Sequence, residues 1–158
     1  MSDRDGGLKP EKWHEKLFSS GWVGSRGGSL PVVEPATGEE LVRVAAADPE
    51  DVEVATQRAQ AAQVVWAARP PQERGRIFID AAAFLERNAE AVKEWIIRES
   101  GSVPAKAEVE LKIVIGELHE AAAMTHQPTG IVLPSEPGVT SLARRVPHGV
   151  VGVISPFN

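Results

Sequence analysis

The residues best placed to do chemistry stand at the end of the chain, Gly149-Val150-Val151-Gly152-Val153-Ile154-Ser155-Pro156-Phe157-Asn158. Val150, Val151, Val153 and Ile154 make both faces of a strand apolar, the pattern of a strand buried in a parallel sheet. α/β folds place ligands at the carboxyl end of such strands. Pro156 cannot continue a ladder, so the chain must turn and present the Asn158 amide at the strand's mouth. Gly149 and Gly152 admit the close approach of another backbone. On pattern alone the simpler reading is an ordinary core strand, with Asn158 a turn residue. The order Gly149-Val150-Val151-Gly152 is not a dinucleotide fingerprint, because the glycines lie within the strand and not at a turn into a helix.

Other chemistry-bearing groups are fewer. His119 and His126, seven apart, share a helix face. Metal sites on helices place ligands four apart with a carboxylate in reach. Glu117 and Glu120 are close in sequence, but no second pair converges, so solvated or capping histidines are expected and no metal site. Arg144-Arg145 could bind an anion, but such a pair on a strand edge more often meets another subunit. The four tryptophans suit packing better than a ligand cage. No triad and no carboxylate pair is visible, and the residues alone leave the function open.

Composition narrows the classes. The 158 residues are 42% hydrophobic and 25% charged, as in a soluble globular protein. A net charge of −5 argues against nucleic acid, which needs a basic face. The absence of cysteine excludes disulfides, thiolate metal sites and a cysteine nucleophile within these residues, and fits a reducing compartment. The polar start Met1-Ser2-Asp3-Arg4-Asp5 is not a secretory signal. No apolar run is long enough to span a bilayer, and cytoplasm is the expected location.

Several elements must position the terminal strand. Residues 1–12 read as a flexible arm. Gly21–Gly24 and Leu30–Val33 read as two short strands about a glycine turn, followed by the turn Pro35-Ala36-Thr37-Gly38-Glu39 and a strand over Leu41–Val44. Asp48-Pro49-Glu50-Asp51 starts a helix whose apolar stripe is Val52, Ala55, Ala59, Ala62 and Trp66. Pro70-Pro71 ends it. A second helix carries Ile77, Ala81, Phe84 and Leu85 inward. A third follows Asn88 with Val92, Trp95 and Ile96, and stops near Gly101. The fourth runs from Pro104 to Met124 with Ala107, Leu111, Val114, Leu118 and Ala121 inward. Because Val109, Ile113 and Ile115 lie off that stripe, this helix is expected to be buried on most sides. After Pro128 two strands, 129–133 and 140–146, form a hairpin that reaches out of the domain.

The order of these pieces resembles the aldehyde dehydrogenase superfamily over nearly the whole chain. Glu34-Pro35-Ala36-Thr37-Gly38-Glu39 resembles that family's early turn. Trp66, Glu73-Arg74, Phe84-Leu85-Glu86 and Glu99-Ser100-Gly101 fall in its order. Pro147-His148-Gly149-Val150-Val151-Gly152-Val153-Ile154-Ser155-Pro156-Phe157-Asn158 is the most specific element. Leu133-Pro134-Ser135, Pro137-Gly138 and Ser141-Leu142-Ala143-Arg144-Arg145 also look like members acting on benzaldehyde or related aromatic aldehydes.

The resemblance implies an α/β fold: the amino-terminal part of an aldehyde dehydrogenase, with small β elements, a four-helix layer, a protruding hairpin and the first buried strand of an incomplete Rossmann-like parallel sheet. It divides the chain into the arm (1–12), a β/helical part of the cofactor-binding domain (13–127), an oligomerisation hairpin (128–147), and the first cofactor-sheet strand with its oxyanion loop (148–158). The implied activity oxidises an aldehyde to a carboxylate through a thiohemiacetal, with NAD or NADP as hydride acceptor. Asn158 matches the oxyanion donor, and Ile154, Ser155, Pro156 and Phe157 match the loop lining the nicotinamide. The expected partners are a small-molecule aldehyde and further copies of the chain, joined through the hairpin. The nucleophile, the general base and the residues reading the cofactor ribose would lie downstream, so this chain alone is expected to be inactive. NAD against NADP, the individual aldehyde, and dimer against tetramer stay open. The alternative is a non-catalytic relic or interaction module pairing with an intact homologue.

Overall fold

Prolines and acidic caps set where the helices begin, and short turns set where the strands fold back. A computed structural model describes residues 9–155. They form a one-turn helix α1 (Pro10–Trp13) and strands β1 (Lys16–Phe18), β2 (Trp22–Gly24), β3 (Ser29–Val33) and β4 (Glu40–Ala45). Four long helices follow, α2 (Pro49–Ala68), α3 (Pro71–Arg87), α4 (Ala89–Ser100) and α5 (Pro104–Met124), and then strands β5 (Gly130–Leu133) and β6 (Ser141–Arg144).

Pro49, Pro71 and Pro104 open three of these helices, where a missing amide hydrogen costs nothing. Asp48 caps α2 by accepting from the Asp51 amide at 2.8 Å. Asp51 returns the contact by accepting from the Asp48 amide at 3.2 Å, a reciprocal capping box. The Asp51 carboxylate also accepts from the Arg26 amide at 3.1 Å and the Ser25 hydroxyl at 3.2 Å, which ties the loop before β3 to this helix end. The backbone donors of Arg26 and Asp48 hold the Asp51 carboxyl below its ordinary value.

The strands pair as three antiparallel hairpins, β1–β2, β3–β4 and β5–β6. The expected partnership of the β2 and β3 runs is corrected here. β2 folds back onto β1, an element too short to carry a sequence signal, with Leu17 opposite Val23 and Phe18 opposite Trp22. Apolar cross-strand pairing decides it, and the Phe18 and Trp22 rings meet edge-on at 5.2 Å. The segment after β2 serves instead to reach α2. β3–β4 closes through the expected Glu34–Glu39 turn, where Gly38 takes φ 78° and donates to the Glu34 carbonyl at 2.8 Å.

The core lies between α3 and α5, with α4 against the first half of α5. Ala82, Ala107, Leu111 and Ala122 are buried there. Gly75 lets the helices approach: a Cβ at this position would stand 3.0 Å from the Thr125 hydroxyl and 3.4 Å from the Ala122 carbonyl. This contact turns α3 by Gly75 and Ala82, so Ile77, expected inward, is 44% exposed. α5 is covered on one side only, leaving Val109, Ile113 and Val114 exposed. α2 buries no residue, and its expected stripe begins at an exposed Val52. The accessible surface is 11886 Å² for a mass of 16.9 kDa, against about 7,700 Å² from the size scaling of compact monomers. Most of the apolar stripes therefore have no cover among the described residues.

The terminal strand is the second correction. Residues 149–155 form no strand, and Val153 and Ile154 are 79% and 96% exposed. A strand exists only as a member of a ladder, and no described residue pairs with this segment.

Candidate functional site

The hairpin carries the chain toward the terminal segment. Its register pairs Gly130 with Arg144 and Leu133 with Ser141. Beyond β6, the Arg145 amide donates to the Thr129 carbonyl at 2.7 Å. The path then swings at Gly149, φ 98°, into a segment without regular structure, described as far as Ser155. Nothing lies within 4 Å of a Cβ built on Gly149 or Gly152, so the close backbone approach expected there is not made among the described residues.

Ile154 and Ser155 are both exposed at the end of this run. Pro156, Phe157 and Asn158 lie outside the described residues. No described residue faces Ile154 or Ser155.

The other candidates sort by their surroundings. His119 and His126 border one shallow groove between α3 and α5, with Gln72, Arg76 and Ile79 opposite. Among the described residues no three histidine, cysteine, aspartate or glutamate side chains converge as metal ligands. Arg144 and Arg145 are exposed beside an open groove at the hairpin base, with Gln127, Pro128 and Ile131. Trp13, Trp66 and Trp95 pack half-buried, whereas Trp22 is 46% exposed. Trp13 meets Trp95 at 5.4 Å and Trp66 meets Phe78 at 6.3 Å, both edge-on. No described helix is long and apolar enough to cross a membrane.

Two polar clasps escaped the sequence reading. Glu34, whose side chain is only 14% exposed, accepts from the Arg98 guanidinium at 3.2 Å. Pro35 packs 3.3 Å from a Cβ built on Gly101, so the β3–β4 turn seats on the end of α4. Arg98 holds the Glu34 carboxyl below its ordinary value, aided by the Thr37 hydroxyl and opposed by desolvation. Lys93 of α4 reaches Glu108 of α5 at 2.8 Å and Glu90 at 2.8 Å. These carboxylates raise the Lys93 ammonium, Glu108 first. Glu34 and Arg98 are 64 residues apart, and no local pattern announces such a pair.

Comparison with known proteins gives a consistent result. Residues 22–158 match the aldehyde dehydrogenase family. The chain is 48% identical over 151 residues to a vanillin dehydrogenase of an Amycolatopsis species, covering 96% of this chain and 31% of that protein. It is 42% identical over 147 residues to the NAD(+) benzaldehyde dehydrogenase of Pseudomonas putida, covering 92% and 30%. The fold matches an NAD-dependent benzaldehyde dehydrogenase from Corynebacterium glutamicum with a TM-score of 0.74 and 29% identity, over 84% of this chain and 28% of that one. The chain thus spans about three-tenths of the length of these curated relatives.

Proposed function

This chain belongs to the aldehyde dehydrogenase family, and from that membership we propose that it forms the amino-terminal part of an NAD- or NADP-dependent enzyme oxidising an aromatic, benzaldehyde-like aldehyde to its carboxylate. The observation carrying the substrate class is the 48% identity to a vanillin dehydrogenase across nearly the whole chain. In this reading the remainder of the enzyme covers the exposed faces of α5 and pairs with residues 150–154, and residues 128–147 join subunits.

The part of the chemistry assigned to this chain is positioning and charge stabilisation. A thiolate supplied from outside these residues forms a C–S bond to the aldehyde carbon, and the carbonyl π pair moves onto oxygen. The Asn158 amide donates to that oxyanion, a neutral donor whose loss typically lowers kcat by about 10²–10³. Ile154, Pro156 and Phe157 exclude water beside the reacting carbon, and Ser155 keeps the wall small enough for a ring to approach. The dinucleotide, when bound, supplies the hydride acceptor. With no cysteine, the 158 residues alone generate no NADH from benzaldehyde.

A chimera tests this reading: the chain replaces the matching segment of the Amycolatopsis vanillin dehydrogenase. The expected result is NAD(P)-linked oxidation of vanillin or benzaldehyde, with kcat falling about 10²–10³-fold in Asn158→Ala at little change in KM. A folded, active chimera indifferent to Asn158→Ala would remove the oxyanion assignment. NADH formation by the isolated chain would remove the claim that it is inactive alone.

A further inference from the structure

We propose that Arg74 is an anchor for the remainder of the enzyme, its guanidinium taking a carboxylate from residues beyond Asn158. This rests on the reading that the chain is the amino-terminal part of a longer protein. Arg74 is the fourth residue of α3 and is half-buried. Its Nε is buried and meets no acceptor among the described residues. A guanidinium keeps its proton inside a protein, so the charge stays with the donor. A buried donor without an acceptor carries the full cost of its lost water, and native proteins leave few such groups unpartnered.

The sequence around Arg74 shows why its own helix supplies no partner. Side chains three and four apart are neighbours on a helix. For Arg74 these are Pro70, Pro71, Ile77 and Phe78, all apolar. Arg76, two residues on, has Asp80 four residues away and pairs with it at 2.8 Å. The other half-buried cations among the described residues, Arg43, Lys93, Arg98 and Lys106, each meet a carboxylate. Arg74 is the exception among them. Its place in the first turn adds to the need, because the positive end of the helix dipole disfavours a cation there and favours an anion beside it. A carboxylate answers both demands: it neutralises the charge and matches the planar fork at two oxygens. The Glu34–Arg98 clasp already has this form, a carboxylate brought from 64 residues away to join two elements. The chain spans about three-tenths of its relatives' length, so most of the polypeptide able to bring such a group lies after residue 158.

Two substitutions test the proposal, each placed in the 158-residue chain and in the vanillin dehydrogenase chimera. Arg74→Met removes charge and donors at similar length, and Arg74→Lys keeps the charge without the fork. In the 158-residue chain, Arg74→Met is expected to leave Tm unchanged or to raise it, because it removes a buried donor that has no acceptor. In the chimera the same change strands the carboxylate and is expected to lower Tm by at least about 4 °C, with Arg74→Lys falling between. A crystal structure of the chimera is expected to show the guanidinium on an aspartate or glutamate from beyond residue 158. A Tm lowered by Arg74→Met in the 158-residue chain overturns the proposal, even where the chimera variant fails to fold, since the acceptor then lies within these residues. So does a chimera whose Tm ignores both changes, or one whose guanidinium rests on water or on this chain's own oxygens. A folded chimera without aldehyde oxidation would remove the oxidation reading and leave each Arg74 readout intact.

Discussion

Leu111→Ala tests the α3–α5 core most directly. Leu111 is 6% exposed in a chain with only five buried apolar residues among those described. The substitution removes three carbons, worth roughly 2.5 kcal/mol at about 0.8 kcal/mol per methylene. A sealed cavity would add to this, as in cores where Leu→Ala costs about 2.7–5.0 kcal/mol. Here Leu111 lines an open groove with Leu85, Val92, Ile96 and Val114. Water already reaches that groove, so the cavity contribution is small and the expected loss is about 2.5–3 kcal/mol. For a chain of this length that lowers Tm by roughly 5–12 °C. Val109→Ala on the same helix is the control: Val109 is 56% exposed, and its truncation is expected to cost below about 0.5 kcal/mol. Thermal and urea unfolding followed by circular dichroism reads both. Equal losses in the two variants, or a neutral Leu111→Ala, would mean that α5 does not pack on α3 in solution.

Two further perturbations probe the ends of the elements. Asp48→Ala removes the cap of α2 and is expected to cost about 1 kcal/mol, visible as faster amide exchange over residues 49–53; unchanged exchange there would contradict the capping box. Glu34 is a depressed carboxylate, so its contribution is present above its unfolded value near 4.5 and is lost as pH falls through its lower folded value. Glu34→Gln is therefore expected to flatten the stability–pH curve below about pH 4.5; an unchanged acid limb in the variant would show that the clasp with Arg98 does not form.

What the sequence by itself determined is what a few neighbouring residues decide. Asp48, Pro49 and Asp51 start α2 because a cap acts within one turn. Pro104 opens α5, Gly38 turns β3 into β4, and Pro134–Gly138 folds the β5–β6 hairpin back. The motif ending at Asn158 was legible as a family signature, not as geometry, since its role depends on groups that no local spacing encodes. Tertiary structure decided which apolar faces are covered. Periodicity marks a stripe as apolar, but Ile77 and Val114 stay exposed because Gly75 and Ala82 set where α3 meets α5. It also decided the Glu34–Arg98 clasp, which joins groups far apart in sequence. The run Val150–Ile154 has the composition of a buried strand and is not one here, because hydrogen-bonded partners, not composition, make a strand.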